Sequence, residues 1–198
     1  MVSDILRRKR SGLNFGRRKK KVNMGIVKEV AGWIFEIVVT ILIAFTCVYF
    51  AGLRTSVVGQ SMEGTLSSGD EILVNRFLYK VTDPKPNDLV VFLPNGNEKS
   101  HYYVKRVIAV PGDTVLIKNG AVYVNGELFQ EEAEVASIEE AGLAAEEITL
   151  GDDEYFVLGD NRNNSEDSRY ANIGNVKKEY MIGKAWFRIA PLGKFGFL

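Results

Sequence analysis

The sequence predicts a mostly β domain behind a single N-terminal apolar helix. Two observations carry that expectation. Residues 37–53 form a charge-free run of 17, and extending back to Ala31 across Glu36 gives 23. Beyond it the apolar runs are short, rich in β-branched and aromatic residues, and separated by turn signals. At 198 residues the chain has room for one domain of about 100–150 residues plus the helix.

Three segments follow in order. Residues 1–30 form a basic arm with ten Lys/Arg against two acids. Its net charge of +8 leaves −8 for the remainder of a chain holding 25 of each sign. Residues 31–53 are long enough for an anchor, since a helix of about 20 residues spans a hydrocarbon core of roughly 30 Å. Trp33 is placed as an interfacial anchor, and Glu36 lies near enough to the basic end to reach the headgroups. A cleaved export signal fits less well: its apolar region runs about 7–15 residues and ends in a small-x-small site, whereas Tyr49-Phe50-Ala51-Gly52-Leu53 offers no clean one. The basic arm puts the N-terminus in the cytoplasm by the positive-inside rule. Residues 54–198 then form an exported domain. The arm also suits a solvated tail drawn to anionic lipid.

Within that domain, 71–75, 89–93, 102–110, 115–117, 121–124 and 155–158 read as strands. Turn signals at 83–88, Asn95-Gly96, Pro111-Gly112-Asp113 and Asn125-Gly126 divide them. Lys118-Asn119-Gly120 is the best hairpin signal, because Asn-Gly accepts the positive φ angles of a type I′ turn. Residues 131–147 hold seven Glu and no basic residue, which reads as an acidic, solvated excursion, partly helical or mobile.

Composition removes several function classes. No basic residue occurs between Asn119 and Asn161, so no nucleic-acid surface is expected there. The single cysteine, Cys47, lies in the apolar run and the single histidine is His101. No disulfide, zinc site or other cofactor is expected from them.

What remains is a serine and a lysine. A serine hydroxyl attacks poorly unless a base takes its proton. His101 has no acid nearby in sequence to complete a triad. A lysine serves if it is neutral, but with a reference pKa of about 10.4 only about one in a few thousand is neutral near pH 7. Burial among apolar groups lowers that pKa by several units. Lys105 lies between Tyr102-Tyr103-Val104 and Val107-Ile108-Ala109-Val110. Alternation puts it on a face with Tyr103, Val107 and Ala109, and Arg106, which stays charged, on the other. Parity alone leaves open which face holds a site. Ser61 has competitors in Ser56, Ser67 and Ser68, but it follows Leu53 by eight residues, keeping it within about 26 Å of the bilayer edge. Gly59 lets backbone approach a substrate and aim amide groups at an oxyanion. The polar stretch 159–169 reads either as a hydrogen-bonded surface turn or as a scaffold for the lysine and the serine.

Gly-x-Ser-Met at 59–62, Lys105-Arg106-Val107 followed by Pro111-Gly112-Asp113, and Gly-Asp-Asn-Arg-Asn-Asn-Ser-x-Asp-Ser-Arg at 159–169 stand in that order behind the apolar run. In these features the chain resembles type I signal peptidase, of the Gram-positive kind, from the anchor to near Arg188. The resemblance implies a coiled antiparallel β-sheet catalytic domain and a membrane-bound serine endopeptidase that needs no cofactor. It implies Ser61 as nucleophile, Lys105 as general base, and Ser165 as a hydrogen-bond partner of the lysine amine. Asp167 and Arg169 would form a structural ion pair, with Asp160 and Arg162 bracing the same loop. Subsites for small side chains would fall on Val57, Met62, Leu66, Tyr103 and Val104. Partners would be signal peptides of exported preproteins, the lipid bilayer and the secretion translocon, at the plasma membrane. The family has proline after Ser-Met-x, and here Gly64 stands there. Without proline's fixed φ the turn is expected to be looser. The alternative is therefore a catalytically impaired relative that binds signal peptides.

Overall fold

Every strand pairing described in the chain is antiparallel, which gives the mostly β domain the sequence predicts. The computed structural model describes residues 23–198; most of the basic arm, 1–22, lies outside them. α1 spans Met24–Ala51, with the Asn23 side chain accepting from the Gly25 amide at its start. Its 28 residues make a rod of about 42 Å. Large apolar side chains along it, among them Trp33, Ile37, Ile41 and Phe45, are exposed. No helix among the described residues is long and apolar enough to cross a membrane. α1 up to Ile43 belongs to one compact unit, and 44–198 form another.

In the second unit the end of α1 leads into β1 (Gly52–Ser56), so Leu53 is a strand residue rather than the end of a helix. β2 (Glu71–Asn75), a four-residue α2 (Leu78–Val81), β3 (Leu89–Phe92) and β4 (Tyr103–Ala109) follow. Next come β5 (Thr114–Lys118), β6 (Ala121–Val124), β7 (Glu127–Leu128), β8 (Ile148–Thr149) and β9 (Glu154–Leu158). The chain closes with β10 (Val176–Lys177), β11 (Met181–Ala190) and β12 (Gly196–Phe197). The larger sheet runs β1-β2-β11-β3-β4-β9-β10 with β12 beside β11, and the smaller runs β7-β6-β5-β8. Asn119 and Gly120 take φ of 54° and 77°, the two positive values a type I′ turn demands, and Lys118 pairs with Ala121 across it.

β11 is the longest strand and went unpredicted. Lys184 and Arg188 interrupt its apolar residues, and its register against β2 shifts twice. Each bulge moves side chains to the opposite face and erases the period-two pattern.

Two registers place the functional groups. Arg106 on β4 stands opposite Leu158 on β9, so in this antiparallel pair residues 159 and 160 emerge beside Lys105 and Val104. At the other end, Ser56 pairs with Glu71, and the bonds Val57 N to Asp70 O (2.8 Å) and Gly69 N to Val57 O (2.9 Å) close a neck under the Ser61 turn. Three apolar cores hold these parts. One lies under the turn, with Met62, Leu66, Ile72 and Val104. A second, with Val90, Val107 and Val157, packs near Tyr103. The third joins Phe156 and Leu158 to the smaller sheet and takes in Ile138 and Ala144 from the acidic segment. That segment is therefore packed, not simply solvated.

Phe156 is fully buried. Truncation Phe156→Ala should cost about 3–5 kcal/mol of stability, read by urea unfolding of the full chain, with loss of the third core before any change in the site chemistry.

Candidate active site

The Ser61 turn is anchored from below. Met62 and Leu66 are buried in the core, and both the Thr65 and Leu66 amides donate to Met62 O, at 3.1 and 2.7 Å. With these two apolar residues inward, Ser61 stays partly exposed at the top of the turn. The approach to it bends at Gly59, whose φ is +89°. The loop 159–169 grips the same backbone: Asn161 N donates to Ser61 O at 3.0 Å, and the Asn161 amide side chain donates to Gln60 O at 3.1 Å. Gly159 permits this approach, since a Cβ there would collide with Ser61 O and the Ser165 hydroxyl.

Lys105 is 2 % exposed. Its amine lies 5.6 Å from the centroid of the Tyr103 ring. Burial pushes its pKa down from 10.5 to about 8; the negative charges of Asp167 and Glu166 oppose the shift, and Arg169 assists it. Ser61 and Lys105 open onto one cavity of about 260 Å³, and no hydrogen bond joins their side chains. Val57, Met62, Tyr103 and Val104 also line that cavity. Leu66 does not; it is spent in the core below. Val58, His101, Tyr102 and Glu166 complete the wall and escaped the sequence reading. A second cavity, about 510 Å³, shares Val58, His101 and Tyr102 with it. The signal for these residues was position alone: His101 and Tyr102 immediately precede β4, and Glu166 sits inside the polar loop, its carboxylate accepting from the Tyr103 hydroxyl at 3.3 Å.

Around the lysine, both nearby aspartates are occupied by an arginine. Asp167 accepts from Arg169 Nε at 2.8 Å and Nη2 at 2.9 Å, and also from the Ser165 hydroxyl at 2.7 Å and the Gly159 amide at 3.1 Å. The Ser165 proton therefore points to Asp167, and no hydrogen bond links Ser165 to the Lys105 amine. Asp160 receives a two-toothed bond from Arg106, Nε and Nη2 both at 2.8 Å. Burial works against the Arg106 charge, but the Asp160 hydrogen bond and charge prevail and its pKa is raised. Arg162 donates to Gly159 O at 3.1 Å and clamps Glu131 of the acidic segment at 2.8 Å. Thus Asp160 and Arg162 brace the loop through two outside partners, not through each other. More of the acidic segment is drawn in by Arg169 Nη1 donating to Glu140 O and Asn163 to Ser137 O. Among the described residues no group of three or more His, Cys, Asp or Glu side chains is arranged to hold a metal ion.

Set beside known proteins, residues 30–190 match the family described as signal peptidase, peptidase S26. The chain is 35% identical over 187 residues to "Signal peptidase I P" of Bacillus subtilis subsp. natto, covering 91% of this chain and 97% of that one. It is 36% identical over 157 residues to "Probable signal peptidase I-2" of Synechocystis sp., covering 74% and 70%. A signal peptidase I structure from Enterococcus faecalis V583 shares 28% identity over 52% of this chain and 97% of that one, with a TM-score of 0.41.

Removing one member of a buried ion pair strands its partner's charge. Asp160→Asn should therefore cost about 3–5 kcal/mol, read by thermal and denaturant unfolding. Asp160→Glu, which keeps the charge, should cost clearly less.

Proposed function

The chain belongs to the signal peptidase family, peptidase S26, and on that premise we propose that it cleaves signal peptides from exported preproteins with Ser61 as nucleophile and Lys105 as general base. One observation carries this reading: a buried amine with its pKa lowered to about 8 opens onto the same cavity as Ser61. Near pH 7 roughly a tenth of such amines are neutral, against one in a few thousand for a free lysine.

Chemistry follows from that proton inventory. The neutral Lys105 amine takes the Ser61 proton as the oxygen attacks the scissile carbonyl. The ammonium returns that proton to the departing amine, leaving an acyl group on Ser61. Water then attacks the ester, with the same amine as base, and Ser61 is released. Gly59 offers the flexible backbone for amide donors to the developing oxyanion. Ser165 is held by Asp167 and packs against Gly159 beside the serine turn. The apolar walls from Val57, Met62, Tyr103 and Val104 accept the small side chains that precede the cut. Toward His101 and Tyr102 the neighbouring cavity gives an extended preprotein room to continue.

The surroundings of the reaction follow from the N-terminal segments. The part of α1 from residue 31 to its end acts as a membrane anchor, a reading supported by the exposed large apolar side chains along the helix. The basic arm, 1–30, faces the cytoplasm and anionic lipid, and 54–198 work on the extracytoplasmic side of the plasma membrane, where the translocon delivers preproteins. The impaired-relative alternative, raised by Gly64, has less support because the buried amine and its arginine-neutralised carboxylates are all in place.

In detergent, the full chain should cut a preprotein after a small residue. Ser61→Ala and Lys105→Ala should each lower the rate by at least about a thousandfold; retained cleavage by either removes the mechanism. The parent rate should climb about tenfold per pH unit below the lysine pKa and level off above about 8. A profile flat from about pH 6 to 10 is incompatible with Lys105 as base.

A further inference from the structure

The turn that carries Ser61 lacks the proline its family resemblance expects, yet it is not loose. Gly64 has φ of +106°, a value proline's ring, locked near −65°, cannot reach. Glycine therefore does not retrace proline's path; the backbone takes a different one. Nothing lies within 4 Å of where a Gly64 Cβ would sit, so it is the backbone angle and not crowding that requires glycine.

The next residue is held at every polar atom. The Thr65 hydroxyl donates to Asp160 Oδ2 at 2.6 Å and accepts from Arg106 Nη2 at 3.3 Å. Its carbonyl accepts from Arg188 Nη2 at 2.6 Å, and its amide donates to Met62 O at 3.1 Å. Arg188 is itself fixed by Asp70 at 3.2 Å, and Asp70 caps the Ser67 amide at 3.0 Å. One threonine thus ties together β4, the 159–169 loop and β11, four residues from Ser61. Bonds to charged partners are the stronger kind, and two of these partners are buried.

We infer that Thr65 is the positioning residue of the nucleophile turn, its hydroxyl and carbonyl tethering that turn to Asp160, Arg106 and Arg188, with Gly64 supplying the backbone angle the tether needs. Order that proline would impose on the unfolded chain is here imposed by the folded state. The tether also couples the two halves of the chemistry, because Arg106 is the immediate neighbour of Lys105 on β4 while Thr65 belongs to the Ser61 turn. The inference rests on Ser61 being the nucleophile.

Thr65→Val, Thr65→Ser and Gly64→Pro in the full chain test it, using preprotein cleavage together with amide exchange at residues 65 and 66. Thr65→Val should lower kcat about 10–100-fold, the range for a displaced reacting group, with KM within about threefold and faster exchange at both amides. Thr65→Ser should restore kcat to within about threefold of the parent, a rescue that lost methyl packing alone does not predict. Gly64→Pro should fall at least as far as Thr65→Val. The idea is overturned by an unchanged kcat in Thr65→Val, by Thr65→Ser as impaired as Thr65→Val, or by Gly64→Pro at or above parent activity. If Thr65→Val does not fold, the other two variants still decide. Cleavage retained by Ser61→Ala would defeat the nucleophile assignment instead, while the exchange rates would report on the tether by themselves.

Discussion

The lowered pKa of a buried amine beside carboxylates is the constraint around which the polar groups near Lys105 are arranged. Asp167 and Glu166 both act to keep Lys105 protonated, against the burial that lowers its pKa. Were their charges unopposed, the lysine pKa would be higher and less of the amine would be free of its proton. Arg169 meets Asp167 and Arg106 meets Asp160, each with two nitrogens on two oxygens. Arginine suits the task because its guanidinium stays charged and matches a carboxylate fork for fork. Lysine in those places would be a second titrating amine. Glu166 lacks an arginine, and its carboxylate instead accepts from Tyr103 and Asn172.

These buried pairs are poor bargains as stabilisers, since desolvation consumes much of the attraction between the charges. Their value lies in geometry. Asp160 joins β4 to the Ser61 turn, Asp167 fixes Ser165 and the Gly159 amide, and Arg162 reaches the acidic segment. Each charge is satisfied only when several chain segments meet, so the loop has one low-energy arrangement in place of many. The two glycine-dependent approaches, at Gly159 and Gly64, belong to the same design. One brings backbone against backbone without a Cβ; the other turns the chain in a direction that proline forbids.

The acidic segment changes meaning in this light. Seven glutamates without a basic partner in sequence read as a solvated face, yet Ile138 and Ala144 enter a core and Glu131 receives Arg162 from across the fold. Local sequence gave no sign of it, because the compensating cation lies 31 residues away. The expectation of a loose serine turn was incomplete for a similar reason. It weighed the φ freedom of Gly64 but not Thr65, whose bonds run to partners 41, 95 and 123 residues distant.

Legibility followed the range of the interaction. Strands with strict alternation or unbroken apolar runs, such as β2 and β6, and the Asn119-Gly120 turn were readable because their causes lie within a few residues. The three ordered motifs singled out the serine, the lysine and the polar loop as candidates. β11 was not readable, since its bulges depend on the strands beside it. Nor were His101 and Glu166 as cavity walls, or Leu66 as core in place of subsite. The sequence by itself determined which chemical groups are available and that a β scaffold carries them. Only the tertiary structure decided that Arg106 meets Asp160 and Arg162 meets Glu131, because an ion pair is chosen by distance in space and desolvation, and neither quantity is written along the chain.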